Sequence, residues 1–389
     1  MTPPPRILLL NNEKDVRDEL RKIGVHSEGV RVMAPKGVFR AVKLSGVKPI
    51  AANILKQEML SRGGEAAVSH GTIAYSVKST DVIVFGTLRQ FSELAAKLRR
   101  HQFGLPELAE KINDSLRRHN KQPGTRRTRV MGILNVTPDS FSDGGRHFSE
   151  DAAVARGIEM AREGADIIDV GGESTRPGAK KVSAKDELRR VVPVIRRLKK
   201  LVKIPISIDT TKSLVARRAL QAGAKIINDV SGLHSDRKIA KVAADFGAAL
   251  ILMHMRGNPR TMQRNPEYPD LIGEILEYFC EGIKIAEDSG VPRSNLIIDP
   301  GIGFGKTTGH NLEILARLRE LKCLGVPVMV GTSRKSFIGN VLKLPAGERF
   351  EGTAATVAVS IQNGADIVRV HDVGQIVRVA RMADAIARR

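Results

Sequence analysis

Between residues 130 and 370 the chain repeats one pattern eight times. A short run of apolar, largely β-branched residues is followed by a longer, mostly amphipathic stretch. The runs are 130–136, 166–170, 205–209, 225–230, 249–254, 296–299, 327–330 and 367–370. Helical spacing of apolar positions is clear at 187–201, 214–222, 271–289 and 312–321. Runs that are apolar at nearly every position are buried on both faces, as parallel strands covered by crossover helices are. Eight such units fit a TIM (β/α)8 barrel. A doubly wound open sheet made of the same units is the alternative. Gly-Ala-Asp-Ile occurs twice, at 164–167 and 364–367, where a helix passes into a strand through a glycine turn.

The barrel leaves about a third of the 389 residues unused. A polar, basic stretch with a Pro-Gly pair, 117–127, reads as a linker. It sets the expected division at 1–122, a smaller α/β N-terminal domain, and 123–389, the barrel. In the first part 6–10 and 81–85 read as strands, 13–23 and 92–100 as helices. A hydrophobic share of 42% excludes a disordered or collagen-like chain. No apolar run approaches the roughly 18 residues of a membrane span. The first residues lack the apolar stretch of a signal peptide, so the reading is cytoplasmic. Cys280 and Cys323 are too few for a disulfide scaffold and read as buried core thiols. The net charge is +21, and residues 1–130, with 24 basic against 12 acidic side chains, hold +12 of it. Such a chain attracts polyanions. With 4% aromatics and no Trp it lacks stacking platforms for single strands, so nucleic acid is not the expected partner.

The polar residues of the barrel segment gather where its apolar runs end. They are Asn135, Gly171-Gly172-Glu173, Asp209, Asn228-Asp229, His254, Asp299, Ser333-Arg334-Lys335, and Arg369 with His371. A barrel builds its active site at the C-terminal ends of its strands. One polar strand end is an ordinary cap; eight in eight describe a rim. Two loops on it, 137–146 and 173–179, are rich in Gly, Ser, Thr and Asp and read as lids. Lys335, Arg369, His371 and Arg176 suit a phosphate or diphosphate. Asp209, Asn228 and Asp299 suit a planar heterocycle with N–H donors, because a carboxylate accepts two parallel hydrogen bonds. Asn135 offers one oxygen to a Mg²⁺ that otherwise keeps water and phosphate ligands. The segment Gly301-Ile302-Gly303-Phe304-Gly305-Lys306-Thr307 is one residue short of a Walker loop and is not read as one. His254-Met255-Arg256-Gly257 lacks zinc-ligand spacing.

Two long stretches, Met131-Gly132-Ile133-Leu134-Asn135-Val136-Thr137-Pro138-Asp139-Ser140-Phe141-Ser142-Asp143-Gly144-Gly145 and Asp169-Val170-Gly171-Gly172-Glu173-Ser174-Thr175-Arg176-Pro177-Gly178, resemble the two signatures of the dihydropteroate synthases. Ser207-Ile208-Asp209-Thr210, Ile227-Asn228-Asp229-Val230, Met253-His254-Met255, Asp299-Pro300-Gly301, Gly303-Phe304-Gly305-Lys306, Ser333-Arg334-Lys335-Ser336 and Arg369-Val370-His371-Asp372 follow in family order. The resemblance spans 128–389. It implies a TIM-barrel transferase of folate biosynthesis that joins p-aminobenzoate to 6-hydroxymethyl-7,8-dihydropterin diphosphate. By the same resemblance Asp209, Asn228 and Asp299 grip the pterin beside Lys335, and Asn135 holds Mg²⁺ on the diphosphate. Thr175, Arg176, Arg369 and His371 hold the diphosphate oxygens. Ser336 meets the p-aminobenzoate carboxylate, and Phe141, Pro177 and Phe304 wall its ring, with Met255 in the substrate-binding set. Asp209, Asp143, Lys335 and Arg369 are the catalytic candidates. A homodimer is also implied. The rival readings are a pterin-binding methyltransferase barrel, a synthase using a glycosylated aniline, and an inactive barrel whose basic N-terminal part binds a partner.

Overall fold

The computed structural model describes residues 4–120, 127–137, 146–174, 182–257, 262 and 265–387. The chain forms two compact units, Met1–Lys121 and Gln122–Arg389.

The first unit runs α1 (Glu13–Lys22), α2 (Ser27–Met33), β1 (Phe39–Val47), α3 (Pro49–Leu60), β2 (Glu65–Val68), β3 (Thr80–Thr87), α4 (Leu88–Leu98) and α5 (Leu105–Asn120). Its strands form an antiparallel sheet in the order β1-β3-β2. Alternate residues of β3 are buried. With Leu55, Phe91, Leu94, Leu98, Leu105 and Ile112 from α3, α4 and α5 they make a core of their own. Thr87 starts α4 with a reciprocal capping box: its hydroxyl accepts from the Gln90 amide, and the Gln90 side chain accepts from the Thr87 N–H.

The expected strand at 6–10 is not formed; these residues are in neither helix nor strand. Their apolar composition suits a strand, but nothing pairs with them as a ladder, and Ile7 and Leu9 stand 93% and 85% exposed.

The second unit contains the eight expected strands: β4 (Arg129–Asn135), β5 (Ile167–Gly171), β6 (Ile206–Asp209), β7 (Ile226–Asp229), β8 (Ala249–Met253), β9 (Leu296–Asp299), β10 (Met329–Val330) and β11 (Ile367–Val370). Between and after them lie α6 (Arg146–Glu163), α7 (Ala184–Leu201), α8 (Ser213–Ala222), α9 (Lys238–Phe246), α10 (Leu271–Asp288), α11 (Thr308–Ala316), α12 (Ser336–Leu342), α13 (Phe350–Gln362) and α14 (Val373–Ala387). The strands are parallel in the order β10-β11-β4-β5-β6-β7-β8-β9. A bridge between Ile298 and Val328 and an Ile298 N–H to Pro327 carbonyl bond of 3.0 Å join the two ends. The barrel, not the open sheet, is the fold.

Period-two alternation sorts every strand. One set of side chains, such as Val130, Ile168, Ile208, Ile227, Leu250, Ile298 and Val368, packs outward under the helices. The other set fills the interior, whose floor is Met131, Ile167, Ile226, Ile251, Ile297, Met329 and Ile367. Two or four residues further along the strands the inward positions turn polar, and the site begins there.

The Gly-Ala-Asp-Ile repeat has a structural use at the opposite end. Asp166 accepts the Val130 N–H at 2.9 Å and pairs with Arg127, and Asp366 accepts the Val328 N–H at 2.7 Å and pairs with Lys322. Each carboxylate ties the start of one strand to its neighbour. Asp384 of α14 accepts from the Thr128 N–H and hydroxyl at 2.7 and 2.8 Å, both buried. The cysteine expectation is corrected: Cys280 is exposed and Cys323 half-buried, because both lie on segments that cover the barrel rather than in its core. Among the described residues no helix is long and apolar enough to cross a membrane.

Candidate active site

One guanidinium organises the polar layer. Arg369, near the end of β11, donates through Nε to Asp169 Oδ2 and through Nη2 to Asp209 Oδ2, each at 2.7 Å. Asn228 Nδ2 donates to the same Asp169 oxygen at 2.9 Å. Asp169 is 0% exposed and sits mid-strand in β5, two residues before Gly171 and therefore on the same inward face. Burial works against the charge of Arg369, but Asp169 and Asp209 hold its pKa above the usual value. Burial pushes the Asp209 carboxyl up to about 7; Arg369 opposes this and the Asp169 charge adds to it.

Asp299 closes the layer from β9. Its Oδ1 accepts the Gly301 N–H at 2.8 Å, burial raises its pKa, and the Lys335 charge opposes the rise. Burial brings Lys335 down to about 8, with Asp299 holding it up. Lys335 Nζ donates to the Ile302 carbonyl and lies 4.6 Å from the centre of the Phe304 ring. Lys335 is the cap residue of α12 and exposed Ser336 its first helical residue. Ser333 Oγ lies 3.0 Å from His371 Nδ1 and accepts the His371 N–H at 3.2 Å, which holds the ends of β10 and β11 together.

Of the eight polar strand ends, Asn135, Asp209, Asn228, Asp299 and Arg369 stand on inward strand positions. Asp229 instead accepts from the backbone of Ser231 and Leu233 and shapes its own turn. Glu173 pairs with Lys212, and its other oxygen accepts the Val182 N–H at 3.1 Å. His254 pairs with Lys306 and faces Tyr278 of α10. Met255 lines a cleft of about 390 Å³ with His254, Tyr268, Tyr278 and Glu274. Asp209, Asn228, Asp299 and Lys335 do not line that cleft. Phe141, Asp143, Thr175, Arg176 and Pro177 lie outside the described residues. Asp169 and Lys306 stand in stretches that carry the family resemblance but were given no role from the sequence. A carboxylate inside an otherwise apolar strand, in register with Gly171, was the available signal for the first.

Among the described residues, three buried polar atoms of this layer have no hydrogen-bond partner: Asp169 Oδ1, Asn228 Oδ1 and Ser207 Oγ. Buried acceptors left open cost stability, so they are expected where a ligand or water completes them. A Cβ at Gly171 would stand 3.8 Å from both Asn135 Oδ1 and Asp209 Oδ2, so the bare glycine leaves space beside two oxygens. Among the described residues no three His, Cys, Asp or Glu side chains gather as a metal cage. One amide oxygen near a carboxylate fits a hard cation that keeps water and phosphate ligands, and does not fit zinc.

This geometry has known counterparts. The sequence profile of the family described as pterin binding enzyme matches residues 131–371. A dihydropteroate synthase of Synechocystis is 53% identical over 264 residues, 68% of this chain and 91% of that one. A probable bifunctional folylpolyglutamate synthase/dihydropteroate synthase of Halobacterium salinarum is 45% identical over 377 residues. That match takes in 95% of this chain, which spans 46% of the relative's length. The crystal structure of a Clostridium difficile dihydropteroate synthase determined with pteroic acid superposes with a TM-score of 0.65 at 48% identity, covering 68% of this chain and 98% of that one. The chain belongs to the pterin-binding enzymes, and within them to the dihydropteroate synthases.

Proposed function

We infer that the barrel condenses 6-hydroxymethyl-7,8-dihydropterin diphosphate with p-aminobenzoate, giving 7,8-dihydropteroate and diphosphate. The observation that carries this is the inward layer: Asp169, Asp209, Asn228 and Asp299 set against Arg369 and Lys335, with acceptors still open. An amino-pyrimidinone edge presents the N–H donors that such acceptors need.

The residues act as follows in this reading. Asn228, Asp209 and Asp299 bind and orient the pterin. Arg369, His371 and Arg176 face the diphosphate, with Thr175 beside them. Asn135 would hold Mg²⁺, which supplies positive charge to the diphosphate oxygens when bound. The exocyclic C–O bond breaks, and its electron pair leaves with the diphosphate. The pterin cation that remains is stabilised by the negative end of the layer, Asp209, helped by Asp143. The aniline nitrogen is neutral and needs no strong base; it forms the C–N bond and loses one proton. Phe304, Phe141 and Pro177 would flank its ring, and Ser336 its carboxylate. Keeping water off the cation is the task left to the two long loops.

Diphosphate release from the dihydropterin diphosphate, with and without p-aminobenzoate, tests this reading. Release should depend on p-aminobenzoate, with dihydropteroate identified by mass. Asp209→Asn should lower kcat by on the order of a hundredfold in a chain that stays folded. No product from p-aminobenzoate, but product from a glycosylated aniline, would replace the acceptor. Wild-type turnover in the Asp209 variant would remove its role.

A second copy of the chain is the proposed partner. Leu312, Val341, Leu342 and Val359 are exposed on α11, α12 and α13, which pack against one another. A chain of 389 residues with only two cysteines, Cys280 and Cys323, suits a reducing, cytoplasmic setting.

A further inference from the structure

The glycine-rich segment that fails as a Walker loop has another use. Gly301 and Gly305 have φ of +66° and +62°. A Cβ would stand 2.0 Å from the His254 carbonyl oxygen at the first and 2.8 Å from the Arg256 carbonyl oxygen at the second. The loop after β9 therefore lies directly on the chain leaving β8, and only glycine permits that approach. Its lysine does not reach into the barrel for an anion. Lys306 is 3% exposed, and its Nζ is 2.8 Å from His254 Nδ1, 3.0 Å from the Phe304 carbonyl oxygen and 3.5 Å from the His254 carbonyl oxygen. Three acceptors match the three donors of an ammonium. Burial brings Lys306 down to about 7 and His254 to about 2, so the imidazole is the neutral acceptor. The ring is steadied edge-on by Tyr278 at 4.7 Å, and Tyr268 donates to the Gly305 carbonyl at 2.8 Å.

An apolar side chain of the same length would fill this space without the cost of burying an amine. What the amine adds is a fixed Phe304 carbonyl. Phe304 is also the residue whose ring lies under Lys335, and the neighbouring Ile302 carbonyl takes the Lys335 proton donor. We propose that Lys306, seated on His254, is a positioning residue that fixes the Phe304 ring as a wall for the p-aminobenzoate ring. The assignment rests on the p-aminobenzoate reading above, in which Phe304 flanks that ring.

The test uses the full chain. Lys306→Met should raise KM for p-aminobenzoate about tenfold or more, with kcat and the Kd for 6-hydroxymethylpterin within about threefold of wild type. His254→Leu should reproduce this, and His254→Gln, which keeps an acceptor, should restore most of it. The chain has no Trp, so Phe304→Trp provides a single indole. Adding Lys306→Met to it should lower the indole anisotropy, a readout that needs no turnover. Unchanged KM and anisotropy in the Lys306 variant would overturn the proposal. So would equal losses in pterin affinity and p-aminobenzoate KM with a lowered melting temperature, which would make the lysine a general structural residue. If Lys306→Met does not fold, the contrast between the two His254 variants decides. Failure of the wild type to make dihydropteroate would instead remove the activity reading, and the anisotropy comparison would still report on the loop.

Discussion

At Asp169 one guanidinium serves two carboxylates in the same buried layer. Arg369 divides its donors between Asp169 and Asp209, and Asn228 leans on Asp169 as well. Asp169 thus orients the Arg369 and Asn228 side chains while its charge keeps a proton on Asp209 to higher pH. Asp169→Asn removes that charge and frees Arg369 for Asp209. The acid limb of the kcat/KM profile, which reports the free enzyme, should then move down by about one pH unit or more. Stability should follow. The Asp209 pKa of about 7 in the folded chain lies above the ordinary carboxylate value of 3.8. Its stabilisation is therefore complete below pH 3.8 and is lost as pH rises through about 7. The urea midpoint should fall less over that window in the Asn variant than in the wild type. An acid limb that stays in place would mean that Asp209 does not govern it. The sequence showed the residues at strand ends because the C-terminal rule points there. Asp169 was given no role, because that residue lies in the middle of β5 rather than at its end.

At the scale of elements, what was legible depended on whether a segment carries its own pattern. The eight barrel strands did, since each is largely buried on both faces and apolar over most of its length. β1 did not: Arg40, Lys43, Ser45 and Gly46 interrupt its apolar positions, because one side of it meets solvent. Residues 6–10 misled for the opposite reason. They have strand composition and no partner strand, and a strand exists only as half of a ladder. The stretch 312–321 was read as one helix; α11 ends at Ala316 and a 3-10 turn, Leu318–Leu324, follows. The same scale carries the dimer. Val341 is half-exposed on a short helix, so Val341→Asp removes no core packing. A two-subunit mass at micromolar concentration should fall to one subunit in that variant, with the melting curve of the separated chain otherwise preserved. A wild-type mass of one subunit would end the dimer reading, and a variant that stays dimeric would move the interface away from α12.

Among the described residues each unit has core clusters of its own: the barrel's outer and inner layers in the second, and in the first the cluster around Leu55, Phe91 and Leu98 with a smaller one of Val16, Ala34 and Val38. Each unit therefore has what independent folding requires. Every described residue placed in the site belongs to the second unit. A relative 91% covered by 264 matched residues leaves little length for a counterpart of the first unit, while the H. salinarum match takes in 95% of this chain and extends to it. The unit is therefore an addition matched in some relatives and not in others. Residues 123–389 expressed alone should fold and retain kcat/KM within about threefold. Urea unfolding of the full chain should show two transitions, one matching the isolated barrel, because separate cores of different size do not unfold as one cooperative system. A single transition would mean that the two units stabilise each other. More than tenfold loss of kcat/KM in a folded barrel would place part of the catalytic requirement in the first 122 residues.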